Sequence, residues 1–218
     1  QSTAYGTTAT NRASIDRDAY LFGIRVGKTF KNARFSPTIT LWYDEKSGND
    51  DDDVNGNDYG GYNTVQDTGH KFYGLLDNYL SDIGDDTQRY GLQDIAIKTK
   101  LKLNDKNTFK IDWHQFLTQT DLEGNDSDTI RAAGGGAFAT GGNNTGALGN
   151  DLGQEIDLTL VHKYDANTKI VSGYSRYFTT LTHSLLNGSG AVGAGGGDNT
   201  KNNNDDQSWF YMMIDTTF

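Results

Sequence analysis

The 218-residue chain has no cysteine and a single proline, Pro37. Without cysteine there is no disulfide framework, no thiolate metal site and no thiol nucleophile. With one proline, little interrupts a β-ladder, because proline is the residue that cannot donate a ladder hydrogen bond. Long apolar runs are also missing. No stretch approaches the roughly 20 apolar residues of a membrane-crossing helix, so a helical membrane protein is excluded. Membrane-crossing strands are not excluded, because every second side chain on them faces a polar interior and dilutes the apolar signal. Positive charge is in deficit: the net charge is -10. That argues against nucleic acid as a partner, whose phosphates call for a basic surface. No leader with a basic start and an apolar middle is visible, so the chain reads as processed or as part of a longer one.

Glycine is plentiful, at 27 residues, and gathers with Asn and Asp in polar segments. Asp50 to Asp53 and Asp205-Asp206 lie in such segments and read as solvated loops. Calcium or lipopolysaccharide bridged by these carboxylates is the alternative, although their spacing matches no EF-hand loop.

Period-two alternation recurs along the chain and helical periodicity is nearly absent. Tyr20, Phe22, Ile24 and Val26 oppose Gly23, Arg25, Gly27 and Thr29. From residue 35 to 46, Phe35, Pro37, Ile39, Leu41 and Tyr43 oppose Ser36, Thr38, Thr40, Trp42 and Asp44. The same pattern continues in 89–103, 108–119 and 152–164, then in a last strand carrying Phe210, Met212, Ile214 and Phe218. Residues 168–180 form a further strand whose phase the sequence leaves open. Short turns at Lys31–Arg34, Asn104–Asn107 and Asp165–Thr168 alternate with long polar connections at about 48–87, 121–150 and 182–206. Such alternation suits a barrel with its turns on one side of a membrane and its loops on the other. A compact soluble domain seldom holds three structureless loops of that length.

These signals predict an all-β, antiparallel transmembrane β-barrel of the outer-membrane type. Seven to eight strands are present within one domain spanning 1–218, with 1–18 as an outer loop or the start of missing strands. Single-chain barrels of this type have an even strand number with both ends periplasmic. Seven strands with a periplasmic carboxy terminus therefore predict part of a larger barrel.

Four segments carry a family resemblance: Thr68-Gly-His-Lys-Phe-Tyr-Gly-Leu-Leu-Asp77, Gly91-Leu-Gln-Asp-Ile95, Ile111-Asp-Trp-His-Gln-Phe116, and Asp151-Leu-Gly-Gln-Glu-Ile-Asp-Leu158 with Ser172-Gly-Tyr-Ser-Arg-Tyr-Phe178. In order and spacing, over roughly Ala19 to Phe218, they resemble the alginate export family of outer-membrane proteins. The resemblance implies a large monomeric barrel with about twice these strands, passing anionic polysaccharide or other polar solutes. The alginate exporter has an arginine-rich lumen, whereas the inward charges here favour lysine and are offset by carboxylates. Barrels of this kind also end on an aromatic residue, as at Phe218, which the barrel assembly machinery reads.

The strand phases place Arg25, Lys98, Lys100, Lys102, Lys110 and Lys163 inward as bases. Asp44, Asp94, Asp112, Glu155, Asp157 and Asp215 face inward as acids, with His114 among them. Lys98, Lys100, Lys102, Lys110 and Lys163 fall near the short turns and Asp44, Asp94, Glu155 and Asp157 nearer the loops, so a lumen built this way would select a polar or anionic solute by charge. A cross-strand salt-bridge lattice that stiffens the wall is the competing role. His70 and Lys71 are a candidate constriction if their segment folds inward, and otherwise belong to a loop returning onto the rim. The four histidines, His70, His114, His162 and His183, come without a nucleophile elbow, an HExxH metal pair or a phosphate loop. No catalysis and no cofactor are expected. Outer-membrane lipid and lipopolysaccharide are the expected surroundings. An adhesive barrel with surface-binding loops and a soluble calcium-binding β-sandwich are the alternatives.

Overall fold

A computed structural model describes residues 16–48, 58–62, 72–79, 90–120, 149–180, 182–183 and 206–217. Two short strands, β1 (Asp16–Arg17) and β4 (Asp58–Tyr59), pair in parallel apart from the main sheet. The main sheet has seven antiparallel strands in chain order: β2 (Leu21–Thr29), β3 (Thr38–Lys46), β5 (Leu92–Lys102), β6 (Asn107–Leu117), β7 (Asp151–Lys163), β8 (Thr168–Thr179) and β9 (Gln207–Thr216). Among the described residues no helix is long and apolar enough to cross a membrane. The sheet is not closed, and β2 and β9 are its two edges.

Side chains suited to tight turns make the hairpins. Asn104 Oδ1 accepts from the N–H groups of Lys106 (3.0 Å) and Asn107 (2.8 Å). Asp165 Oδ1 accepts from Asn167 and Thr168, both at 2.8 Å. Each side chain thus imitates a backbone turn. The Asn167 N–H, and with it that of Thr168, holds the Asp165 carboxyl below its usual range. The first hairpin corrects an expectation: pairing starts at Thr38, not at residue 35. Phe35 and Ser36 are turn residues with φ of 64° and 40°, and Pro37 has no N–H to give the ladder.

The register steps in one direction across the sheet. Thr38, the first residue of β3, pairs with Lys100, two residues short of the end of β5. Asn107, opening β6, pairs with His162, one short of the end of β7. Gln207, opening β9, pairs with Tyr177, two short of the end of β8. Steady stagger of this kind belongs to strands tilted around a barrel axis.

The two faces differ in what they meet. Along one face Ile24, Val26, Leu41, Phe210, Met212 and Ile214 are all more than half exposed, at 51–70 %. No second sheet packs on this apolar face among the described residues. The other, polar face carries the core. There Leu92, Phe116, Leu152 and Tyr177 pack with Tyr73 and Tyr79 from the segment 72–79. A β-bulge between Phe116 and Leu117 lets Leu152 join that cluster, and Gly153 takes φ 124° beside it. The phase of β8 is now settled: Val171, Ser175 and Tyr177 are buried on the polar face, whereas Tyr174 and Phe178 are exposed.

Candidate functional site

Cross-strand neighbours on the polar face bring the charged residues into rows. Asp44 lies directly opposite Asp94, and Asp112 opposite Asp157. Like charges so placed repel, and each acidic pair has a cation beside it. Arg25 Nη2 donates to both oxygens of Asp44, at 2.7 and 2.8 Å, while its guanidinium lies 3.8 Å from the centre of the Trp42 ring. Trp42 Nε1 donates to the same carboxylate at 2.8 Å. His114 Nδ1 lies 2.9 Å from Asp94, and its Nε2 lies 3.1 Å from Lys98 Nζ. If Nδ1 carries the proton for Asp94, Nε2 is left to accept from the Lys98 ammonium. Lys98 also lies 3.7 Å from Asp112, and His114 Nε2 lies 3.9 Å from Asp157. This half of the polar face is a salt-bridge lattice.

Above that lattice the segment 72–79 folds onto the sheet. Glu155 Oε1 accepts from the backbone N–H groups of Leu75 (2.6 Å) and Leu76 (2.9 Å). Gly74, at φ 85°, brings the backbone so close that a Cβ there would sit 2.5 Å from the Glu155 carboxyl. Lys46 Nζ donates to Tyr79 O at 3.0 Å, and the Tyr79 hydroxyl bonds that of Tyr177 and lies 2.9 Å from His183 Nδ1. Burial of His183 pushes its imidazole down to about 4. Asp94, His114 and Glu155 are fully buried. Glu155 Oε2, Asp157 Oδ1 and Ser175 Oγ are buried acceptors with no hydrogen-bond partner among the described residues.

Toward the short turns the polar face changes sign. Lys100 lies directly opposite Lys110, and Lys163 opposite Lys169. Lys169 is paired with Asp215 (2.8 Å) and Lys102 with Asp105 (3.0 Å). Lys100, Lys110 and Lys163 are exposed, and no carboxylate lies within ion-pair distance of them among the described residues. Sequence reasoning had put Lys98 and Lys102 in the same class as these, and the geometry separates them.

A sequence profile decides the family: that of alginate export matches residues 4–180. The chain belongs to the alginate export family. It is a family of outer-membrane β-barrel channels, and the seven antiparallel strands, with an apolar row exposed on one face, are an arc of such a barrel. Alginate export proteins are transport channels rather than enzymes. Comparison with curated proteins gives no match. Among the described residues no group of His, Asp and Glu side chains is arranged to hold a metal ion.

Several expected sites lie outside the described residues: His70 and Lys71, the acidic run 50–53, Asp205 and the terminal Phe218. Sequence reasoning missed the aromatic cluster on the polar face. Phe116 falls two residues after His114 in the inward phase of β6 and is fully buried. A large aromatic in a polar row was the available signal.

Proposed function

We propose that the chain forms part of the wall of an outer-membrane channel for polar, chiefly anionic solutes, polysaccharide among them. Membership of the alginate export family supports the channel. The exposed apolar rows support a bilayer, because such a face has no partner in water and a ready one in hydrocarbon. Outer-membrane lipid and lipopolysaccharide are the partners this reading gives that face. The edges at β2 and β9 would leave backbone groups unpaired in lipid, at several kcal/mol each, so further strands are required to complete the ring.

One observation carries the preference for anions: Lys100 and Lys110 face each other across the ladder with no carboxylate within ion-pair distance among the described residues. A fixed cationic pair at one end of a pore raises the local anion concentration, and the paired carboxylates at the other end do not cancel it at short range. The test is the reversal potential of the protein in planar bilayers under a salt gradient. Lys100→Gln/Lys110→Gln should lower the anion-to-cation permeability ratio and leave conductance intact. An unmoved reversal potential would reject the anionic preference, and absence of any conductance would reject the channel.

A further inference from the structure

The short-turn end also carries positive charge on the opposite, apolar face. Outward positions of β2 run Phe22, Ile24, Val26 and then Lys28, and Lys28 lies directly opposite Ile39 of the apolar row. Its Nζ stands 5.3 Å over the ring of Phe30. In the turn that follows, Arg34 Cζ stands 4.6 Å from the ring of Phe35, and Lys31 is exposed beside them. Among the described residues none of Lys28, Lys31 and Arg34 has a carboxylate within ion-pair distance. At the other end of the same face the outward cation Arg176 is already held by Asp206 at 2.9 Å.

The turn is held rigidly. Phe35 and Ser36 keep left-handed conformations that side-chain-bearing residues seldom adopt. Lys102 N–H donates to Phe35 O (2.8 Å) and Ser36 N–H to Ala33 O (2.9 Å), which fixes the backbone path that carries Arg34 and Phe35. Three cations and two aromatic rings on the rim of an apolar surface match one chemistry. The rings suit the glycerol and upper acyl region, and the cations suit a phosphodiester, to which arginine can bond twice.

We infer that Lys28, Lys31 and Arg34, with Phe30 and Phe35, form a headgroup site for an acidic glycerophospholipid on the outer surface of the first hairpin. The inference rests on the membrane reading above, in which short turns face the periplasm and the leaflet there is phospholipid. It predicts an annular lipid held at one hairpin and not a uniform charged belt. The β7–β8 turn carries Asp165 and no lysine.

Native mass spectrometry of the full protein in non-ionic detergent tests it. Titration uses dioleoylphosphatidylglycerol against dioleoylphosphatidylcholine at low salt. Each cation near an acidic lipid adds about fivefold, so the wild type should favour phosphatidylglycerol on the order of a hundredfold. Lys28→Gln/Lys31→Gln/Arg34→Gln should bind both lipids alike, and Arg34→Gln alone should lose about fivefold if the triple variant does not fold. Lys100→Gln/Lys110→Gln, on the other face, should keep the preference. Equal binding by the wild type, retention of the preference in the triple variant, or its loss in the polar-face variant overturns the site. Conductance of the same preparations is a separate reading, so the lipid site can fail while the channel stands.

Discussion

Replacing Gly74 by alanine should detach the segment 72–79 without unfolding the sheet. Gly74 has φ 85°, where a residue with a Cβ costs about 1–2 kcal/mol. The new Cβ would stand 2.5 Å from the Glu155 carboxyl carbon, so that side chain must withdraw. Withdrawal breaks its bonds to the Leu75 and Leu76 N–H groups, each contributing about 0.5–1.5 kcal/mol. The sum, about 2–5 kcal/mol, falls on the short segment 72–79. Even about 2 kcal/mol is roughly thirtyfold in local opening. Hydrogen–deuterium exchange of a peptide covering 72–79 should therefore accelerate by at least that factor, while strand amides and heat-modifiable gel migration stay unchanged. A second substitution separates the causes. In a Glu155→Ala background the clash is absent, so Gly74→Ala should cost only the backbone share of about 1–2 kcal/mol. Unchanged exchange in Gly74→Ala, or full additivity of the two substitutions, would refute the close-approach argument.

Leu41 is 57 % exposed in the middle of the apolar face. Leu41→Lys should cost about 2–4 kcal/mol in urea-dependent refolding into lipid vesicles, because the lysine enters hydrocarbon. A midpoint equal to wild type would show that this face does not meet lipid. His183 gives a pH dependence. Its folded value of about 4 lies below the ordinary 6.5, so the unfolded state binds the extra proton between those values and docking weakens as pH falls through that window. The full loss, about 3 kcal/mol, is reached near pH 4. Exchange of the 72–79 peptide should rise between pH 6.5 and 4 after correction for intrinsic rates. The effect should vanish in His183→Gln, and its persistence there would place the titration elsewhere.

Much of the architecture is local and was therefore legible. A side chain's face follows from its parity along a strand, so Arg25, Asp44, Lys98 and Glu155 could be assigned to one face, and Ile24 and Leu41 to the other, from spacing alone. Asn104 and Asp165 build their turns from groups two and three residues away. Where local rules compete, reading failed: Phe35 and Ser36 alternate like strand residues, yet Pro37 delays the ladder to Thr38. Long-range contacts were out of reach for another reason. Glu155 holds Leu75 and Leu76 across 80 and 79 positions, and Tyr79 meets Tyr177 across 98. No periodicity encodes such pairings, since they depend on how a polar connection packs once the sheet exists. Parity assigned the lysines to one face as a class. Only the register across strands set Lys98 3.7 Å from Asp112 and Lys100 opposite Lys110, because such a pair is a distance between chain segments, whereas the Lys102–Asp105 pair spans three residues and is local.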